Sequence, residues 1–392
     1  MRIYEIGTGY TPIPAKMGAA TEIVVEELTR AFRNKRISAK IIDIAASDRL
    51  PTDLPIIEVK VPERFKGTDE KLGIAHKMKR VIYSISLSKC LKGIIRKSDQ
   101  KVVLHFHNQY NLFFFIKLTN KSMRNKCQII YTNHSYVWHG DWDEIKDTVK
   151  KRYFQEVESM RSANKVFVLN EVARENIIRH IGINPNKVAL IDNGVNTNVY
   201  RPISTKETLL KRYRLEGKKI FTQVGSICDR KNQLGAVRLL LPLMLEDKDI
   251  IFCYAGGIID SDYKEQIDKL SREKGISDRV RYFGEIKPGE DLNEFYNLSD
   301  AMIFPSKAEG FSLVILEAMS VGIPVIISEN LEFKLSNECL KYKDETDLRH
   351  IVDEMIINIH NREILSRQCR KVIKDSYSWE AIADEYYKAC EE

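Results

Sequence analysis

Short apolar runs alternate with amphipathic stretches from one end of this chain to the other. In the first half the runs are RIYEIG, AKIIDIA, KVVLHFH, QIIYTNH, KVFVLN and KVALIDN. Segments of helical period separate them at about 18–36, 70–97, 110–125, 143–162 and 171–181. The second half repeats the pattern with KIFTQVG, IIFCYAGG, RVRYFGE, AMIFPS and PVIIS. Such alternation predicts parallel sheets built from strand–helix–strand units. Two sets predict an α/β chain of two doubly wound, Rossmann-like domains, and 392 residues are too many for one ordinary core. The turn-rich stretch NGVNTNVYRPIS (193–204) marks the boundary, giving domains at 1–198 and 199–375.

Hydrophobic content of 43% and charged content of 30% are those of a soluble globular protein. The start MRIYEIGTGY has no signal-peptide hydrophobic stretch, and the most apolar run, NLFFFIKL, is interrupted by Lys117. The expectation is a cytoplasmic protein without a membrane span. Seven scattered cysteines with no C-x-x-C pair predict reduced thiols, neither a disulfide framework nor a zinc site.

The stretch EGFSLVILEAMSVGIPVI (309–326) carries the first chemical signal. Residues 312–321 have helical period, Gly322 suits the position after the helix, and Pro324 blocks its continuation. The strand AMIFPS just upstream places Glu309 at a strand's carboxyl end and the free N–H groups of residues 310–312 at a helix start. Open α/β sheets bind ligands there, and helix starts bind phosphate. The plainer reading has Glu309 complementing the helix dipole and Glu317 on a solvated face.

The longer segment FYNLSDAMIFPSKAEGFSLVILEAMSVGIPVI resembles the signature of glycosyltransferase family 4, retaining nucleotide-sugar transferases of the two-domain GT-B type. Glu309 and Glu317 stand as the two acids of that family's E-x7-E motif. The resemblance extends to IDNGVNTNVYRP, VGSICDRKNQ, CYAGG, VRYFGEI and the closing YSWEAIADEYYKAC. Over the first half it rests on GAATEIVVEELTRAF, HFHNQYN and YTNHSYVW. It implies two Rossmann-like domains facing across a cleft, with the C-terminal helix (376–392) packing back onto the first.

By the same resemblance Glu317 accepts from the donor's ribose hydroxyls, Glu309 touches the transferred sugar, and Gly310, Phe311 and Ser312 surround the diphosphate. Lys231 matches the family's lysine and would neutralise the leaving diphosphate. Where the family usually has arginine this chain has Ser226, and whether neighbouring Arg230 takes that place is open. Gly225, Asn193 and Gly18 are further donor-site candidates, and Lys16 lies beside Gly18. His134 matches the family's histidine on the donor sugar. The implied reaction is glycosyl transfer with retention, by same-face attack, with no protein general base, no cofactor and no metal. UDP is the first choice of nucleotide and GDP the second. The acceptor would be a glycan or a lipid-linked glycan; nucleic acid is not expected as a partner. A nucleotide-sugar epimerase, a phosphorylase, or a non-catalytic nucleotide- or glycan-binding protein on the same scaffold are the alternatives.

Two metal patterns are weighed and set aside. His105, His107, His134 and His139 fall close together, but the two rings of HFH are expected on opposite strand faces with no carboxylate at ligand spacing. Asp141-Trp142-Asp143 and Asp260-Ser261-Asp262 have DxD spacing but sit in polar loop or helix-start segments. A charge run also stands out. Residues 60–101 hold twelve Lys and Arg against four acids, net +8, where the whole chain is +7. Its basic helix reads either as a solvated face or as one that could lie against an anionic bilayer, which would make the protein peripheral on the membrane's inner face.

Overall fold

The computed structural model describes residues 1–15, 19–63, 74–309, 312–331 and 334–391. The chain divides into two compact units, Met1–Gly194 with Trp379–Glu392, and Val195–Ser378. Each is a parallel α/β layer structure, so the chain is built from two Rossmann-like domains.

The first unit holds β1 (Arg2–Ile6), β2 (Ala39–Ile44), β3 (Ile56–Val59), β4 (Val102–Phe106), β5 (Cys127–Thr132), β6 (Lys165–Val168) and β7 (Val188–Leu190). They pair in the order β3-β2-β1-β4-β5-β6-β7, all parallel. Helices cover both faces, which is why the central strands are apolar without alternation. On one face Tyr4, Leu104, Phe106 and Tyr131 meet Tyr83, Leu87 and Leu91 of the helix Ile74–Lys97. On the other, Ile3, Val103 and Phe167 meet Val24, Leu28 and Ala31 of Ala20–Asn34, and Trp379, Ile382 and Tyr386 of the C-terminal helix Trp379–Glu391. That helix starts hard against Gly194, where a Cβ would lie 2.9 Å from Trp379 Cα, so only glycine fits.

In the second unit β8 (Lys219–Val224), β9 (Ile250–Ala255), β10 (Val280–Tyr282), β11 (Ala301–Phe304), β12 (Val325–Ser328) and β13 (Leu340–Tyr342) pair as β10-β9-β8-β11-β12-β13. These contacts too are parallel. The chain winds outward from β8 to β10, then returns to the other side of β8 at β11. The first sheet reverses in the same way between β1 and β4. These two switch points are where open α/β sheets bind ligands.

Two strands escape the apolar pattern. β3 and β13 are short edge strands whose sequences, IIEV and LKY, mix charges with apolar residues. An edge strand has one partner and one covered side, so it needs no continuous apolar run. Among the described residues no helix is long and apolar enough to cross a membrane. All seven cysteines are free thiols.

Candidate active site

In the second unit the site is built from the two loops that leave β8 and β11. The loop after β8 turns at Gly225, beside Gly256 at the end of β9; a Cβ on Gly256 would lie 2.0 Å from the Gly225 carbonyl oxygen. It then runs through Arg230 and Lys231 to Asn232, whose left-handed backbone (φ 56°) and side chain cap the helix Gln233–Glu246 by accepting from Gly235 N–H. The loop after β11 is strapped to it. Lys307 N–H donates to the Arg230 carbonyl at 2.9 Å, Ser306 Oγ lies 3.1 Å from the same carbonyl, and Asn232 Nδ2 donates to the Pro305 carbonyl at 3.0 Å.

Glu309 is where these loops converge. One carboxylate oxygen accepts from Lys231 Nζ at 2.6 Å, Ser306 Oγ at 2.6 Å and Arg230 Nη1 at 3.1 Å. The Glu309 side chain is only 6% exposed, Lys231 is 12% exposed, and Arg230 is 48% exposed. Burial holds the Lys231 pKa below its ordinary value, with Glu309 pulling the other way. Its ammonium also lies 5.2 Å from the centre of the Phe304 ring. Two cations thus share one carboxylate, leaving local positive charge in a partly desolvated setting where it acts strongly on a nearby anion. Arg230 and Lys231 come together although Ser226 leaves the usual arginine position empty of charge.

Glu317 lies in the helix Leu313–Val321, in which every residue from Ile315 onward is buried. The solvated-face reading therefore does not hold: Glu317 is 8% exposed. Its hydroxyl partners belong to the chain, since Tyr296 Oη donates to it at 2.8 Å and the Tyr200 hydroxyl also bonds it. Burial pushes its pKa up to about 7, against the two hydroxyls, which favour the carboxylate. Gly310 and Phe311 lie outside the described residues. Ser312 is the residue before the helix, buried, and its side chain makes no capping bond. Gly322 ends the helix in left-handed backbone (φ 93°), as the sequence predicts.

The first unit carries a second buried constellation at its own switch point. Glu5 of β1 pairs in register with His105 of β4. Both histidine rings reach it: His105 Nδ1 at 2.9 Å and His107 Nε2 at 2.8 Å from Glu5 Oε2. The expectation of opposite faces is wrong, because side chains two apart on a strand share a face; the rings are 4.1 Å apart. The missing carboxylate comes from the neighbouring strand, where chain spacing cannot show it. His107 Nδ1 is 3.0 Å from Nε2 of half-buried His134, which follows β5, and His105 Nε2 is 2.7 Å from Thr132 Oγ. Among the described residues, Glu5, His105 and His107 form the one group whose ligand atoms, all within 4.8 Å of one another, could share an ion. Those atoms are already paired with each other at hydrogen-bond distance, which accounts for the geometry without one.

The remaining candidates separate. Asn193 is buried, and its Oδ1 has no hydrogen-bond partner among the described residues. Gly18 and Lys16 lie outside the described residues. His139 sits at the end of the short helical turn Tyr136–His139. The two DxD patterns are helix starts: Asp141 accepts from Asp143 N–H, and Asp260 from Tyr263 N–H. Sequence reasoning missed Glu5, Tyr200, Tyr296 and Ser306. Ser306 and Tyr296 stand inside the segment that carried the signature, whereas Glu5 gives no signal beyond being an acid inside an apolar strand.

Comparison with known proteins covers both units. The model for Glycosyltransferase Family 4 matches residues 21–199, and that for Glycosyl transferases group 1 matches residues 205–334. An uncharacterized glycosyltransferase of Methanocaldococcus jannaschii is 23% identical over 73% of this chain and 74% of its own. A UDP-Gal:alpha-D-GlcNAc-diphosphoundecaprenol alpha-1,3-galactosyltransferase of Escherichia coli is 23% identical over 75% of this chain and 78% of its own. Among solved structures, the Anabaena protein HepE in complex with UDP and glucose superposes with a TM-score of 0.72 at 13% identity, covering 100% of both chains.

Proposed function

The chain belongs to the group 1/family 4 glycosyltransferases, enzymes of glycan synthesis with the GT-B fold, and on that premise we propose that it moves a sugar, with retention, from a nucleotide-sugar to an acceptor hydroxyl. The observation that carries this is the convergence of Lys231, Arg230 and Ser306 on Glu309 at the β8/β11 switch point. A leaving nucleoside diphosphate gains negative charge as the glycosidic bond breaks, and fixed, partly desolvated cations stabilise that charge more in the transition state than in the ground state. The start of the helix Leu313–Val321, with no acid in its first turn, adds positive potential for the same phosphates.

In this reading Glu317 accepts from the ribose hydroxyls, Glu309 meets the transferred sugar, Ser312 faces the diphosphate, and His134 contacts a sugar hydroxyl. The acceptor hydroxyl attacks from the face the diphosphate leaves, and its proton passes to the leaving phosphate oxygen, so no side chain serves as general base. With Lys231 and Arg230 supplying the charge, the reaction needs no divalent ion. UDP is the favoured nucleotide, supported by the UDP-sugar named for the E. coli relative and the UDP in the HepE structure, with GDP second. The same relative's diphosphoundecaprenol substrate supports a lipid-linked glycan as acceptor. Such an enzyme would work in the cytoplasm, at the inner face of the membrane.

A thermal-shift screen across nucleotide-sugars tests the reading. A ligand at a hundred times its Kd adds about 2.7 kcal/mol to stability, so a UDP- or GDP-sugar should raise Tm by several degrees where the free sugars do not. No shift with any nucleotide-sugar refutes it. Turnover with inorganic phosphate alone would assign a phosphorylase, and epimer formation without acceptor an epimerase.

A further inference from the structure

The Glu5, His107 and His134 chain has a direction that can be deduced. Glu5 is fully buried and its pKa is lowered to about 2: burial opposes ionisation but is outweighed by His105 and His107. An ionised carboxylate only accepts, so His107 must donate from Nε2. Burial, and then the neighbouring His105, lower the His107 pKa to about 4, so that ring is neutral and its Nδ1 carries a lone pair. The 3.0 Å contact to His134 is then a bond in which His134 Nε2–H donates to His107 Nδ1. Burial together with the neighbouring imidazoles keeps the His134 pKa well below its ordinary value. A neutral ring that donates from Nε2 has its lone pair on Nδ1.

We propose that Glu5 and His107 are positioning residues that hold His134 as the neutral Nε2–H tautomer, so that Nδ1 accepts a hydrogen bond from a hydroxyl of the transferred sugar. A group in this state can accept from a hydroxyl but cannot donate to a phosphate oxygen, so it selects for the sugar and not for the diphosphate. The inference rests on the reading of His134 as a sugar contact. The groups that face the network among the described residues are His105 and Thr132, which close its far side, Tyr386 of the C-terminal helix, whose ring lies 5.4 Å from that of His105, and the buried Cys390 thiol of the same helix, which interacts with Glu5. None of them bonds His134, so among the described residues the tautomer is set through His107.

The test reads the tautomer before it reads the reaction. In the full chain labelled with ¹⁵N-histidine, ring nitrogen resonances separate the two neutral tautomers and the cation, and loss of one set in His134→Asn assigns His134 among the eight histidines. The expected result is Nε2–H with bare Nδ1, unchanged from pH 5.5 to 8; an Nδ1–H tautomer, or protonation within that range, overturns the proposal. This measurement needs no nucleotide or acceptor, so its outcome is separate from that of the transferase reading. Glu5→Gln supplies an amide that can donate to His107 Nε2 and reverse both bonds, so His134 should shift toward Nδ1–H. Thr132→Val, which touches only the His105 side, should leave the His134 tautomer as it was. With the donor found by the thermal screen, Glu5→Gln should lower kcat about 10- to 1,000-fold with little change in donor KM, the signature of a misoriented ring. An unchanged kcat in a Glu5→Gln protein whose His134 tautomer has switched overturns the positioning role.

Discussion

Glu317 offers the sharpest test of how the nucleotide is held. Its pKa of about 7 means that near neutral pH the carboxyl is divided between its acid and its carboxylate. Ribose hydroxyls bond most strongly to the carboxylate, so binding favours ionisation and releases a proton. Affinity should therefore rise with pH through the group's own range. With a free-state pKa of about 7, the ionised fraction changes roughly tenfold between pH 6 and pH 8, and nucleotide Kd should tighten by about that factor. Glu317→Gln keeps the shape but replaces charge-assisted bonds with neutral ones, a loss of roughly 1–2 kcal/mol, or about 5- to 30-fold in Kd, and the pH slope should vanish with it. Tyr296→Phe removes a hydroxyl that favours the carboxylate, so the slope should move to higher pH. Calorimetry in two buffers of different ionisation enthalpy measures both Kd and proton release. The nucleotide's own terminal phosphate titrates nearby, so the quantity to read is wild type minus Glu317→Gln. Identical slopes in the two proteins would refute the assignment of Glu317 to the ribose.

Lys231→Met should destabilise the second unit by about 1–3 kcal/mol, because it leaves the mostly buried Glu309 with exposed Arg230 and the Ser306 hydroxyl in place of a buried ammonium, and should also cut turnover; in the wild type, turnover should persist in excess EDTA, and full loss restored by manganese would contradict the cation assignment. Glu22, buried in the helix Ala20–Asn34 with a pKa raised to about 7 by burial against a Thr8 hydroxyl bond, should make folding pH-dependent. Its folded pKa exceeds the unfolded value, so stability falls as pH rises from about 4.5 through 7; Glu22→Gln should abolish that fall and gain up to about 3 kcal/mol at pH 8, read as Tm against pH. On the helix Ile74–Lys97, Lys89, Arg96 and Lys97 are exposed and Lys92 half-buried, opposite buried Tyr83, Leu87 and Leu91. If this face meets an anionic bilayer, the protein should co-sediment with anionic but not neutral vesicles, release as the Debye length falls from about 10 Å at 0.1 M salt to about 3 Å at 1 M, and lose binding when the four are changed to Gln; equal binding to both vesicle types, or none, leaves a solvated face.

The fold was legible because each central strand is an apolar run long enough to be buried on both sides. β3 and β13 were not, since an edge strand such as IIEV or LKY makes half the contacts and needs half the pattern. The site divides along a similar line. Glu309, Lys231 and Arg230 stand in loops whose chemistry is local, so their residue types could be read directly. Tyr200 and Tyr296 are nearly a hundred residues apart, yet their rings pack edge to face and both bond Glu317, and Glu5 meets His105 because β1 and β4 are neighbours. That β4 follows β3 in the chain yet pairs with β1 is a property of topology, invisible to spacing. The same reversal explains why both constellations exist where they do. At a switch point the loops leaving two adjacent strands run to opposite faces of the sheet, which opens a crevice between their starts. Side chains there, Glu5 with His107 in one sheet and Lys231 with Glu309 in the other, meet because the strands or the loops that carry them leave neighbouring strands of the same sheet. An acid in an apolar strand next to a switch point is thus a stronger signal than its own sequence suggests, because the strand beside it, however distant in the chain, must supply its partner.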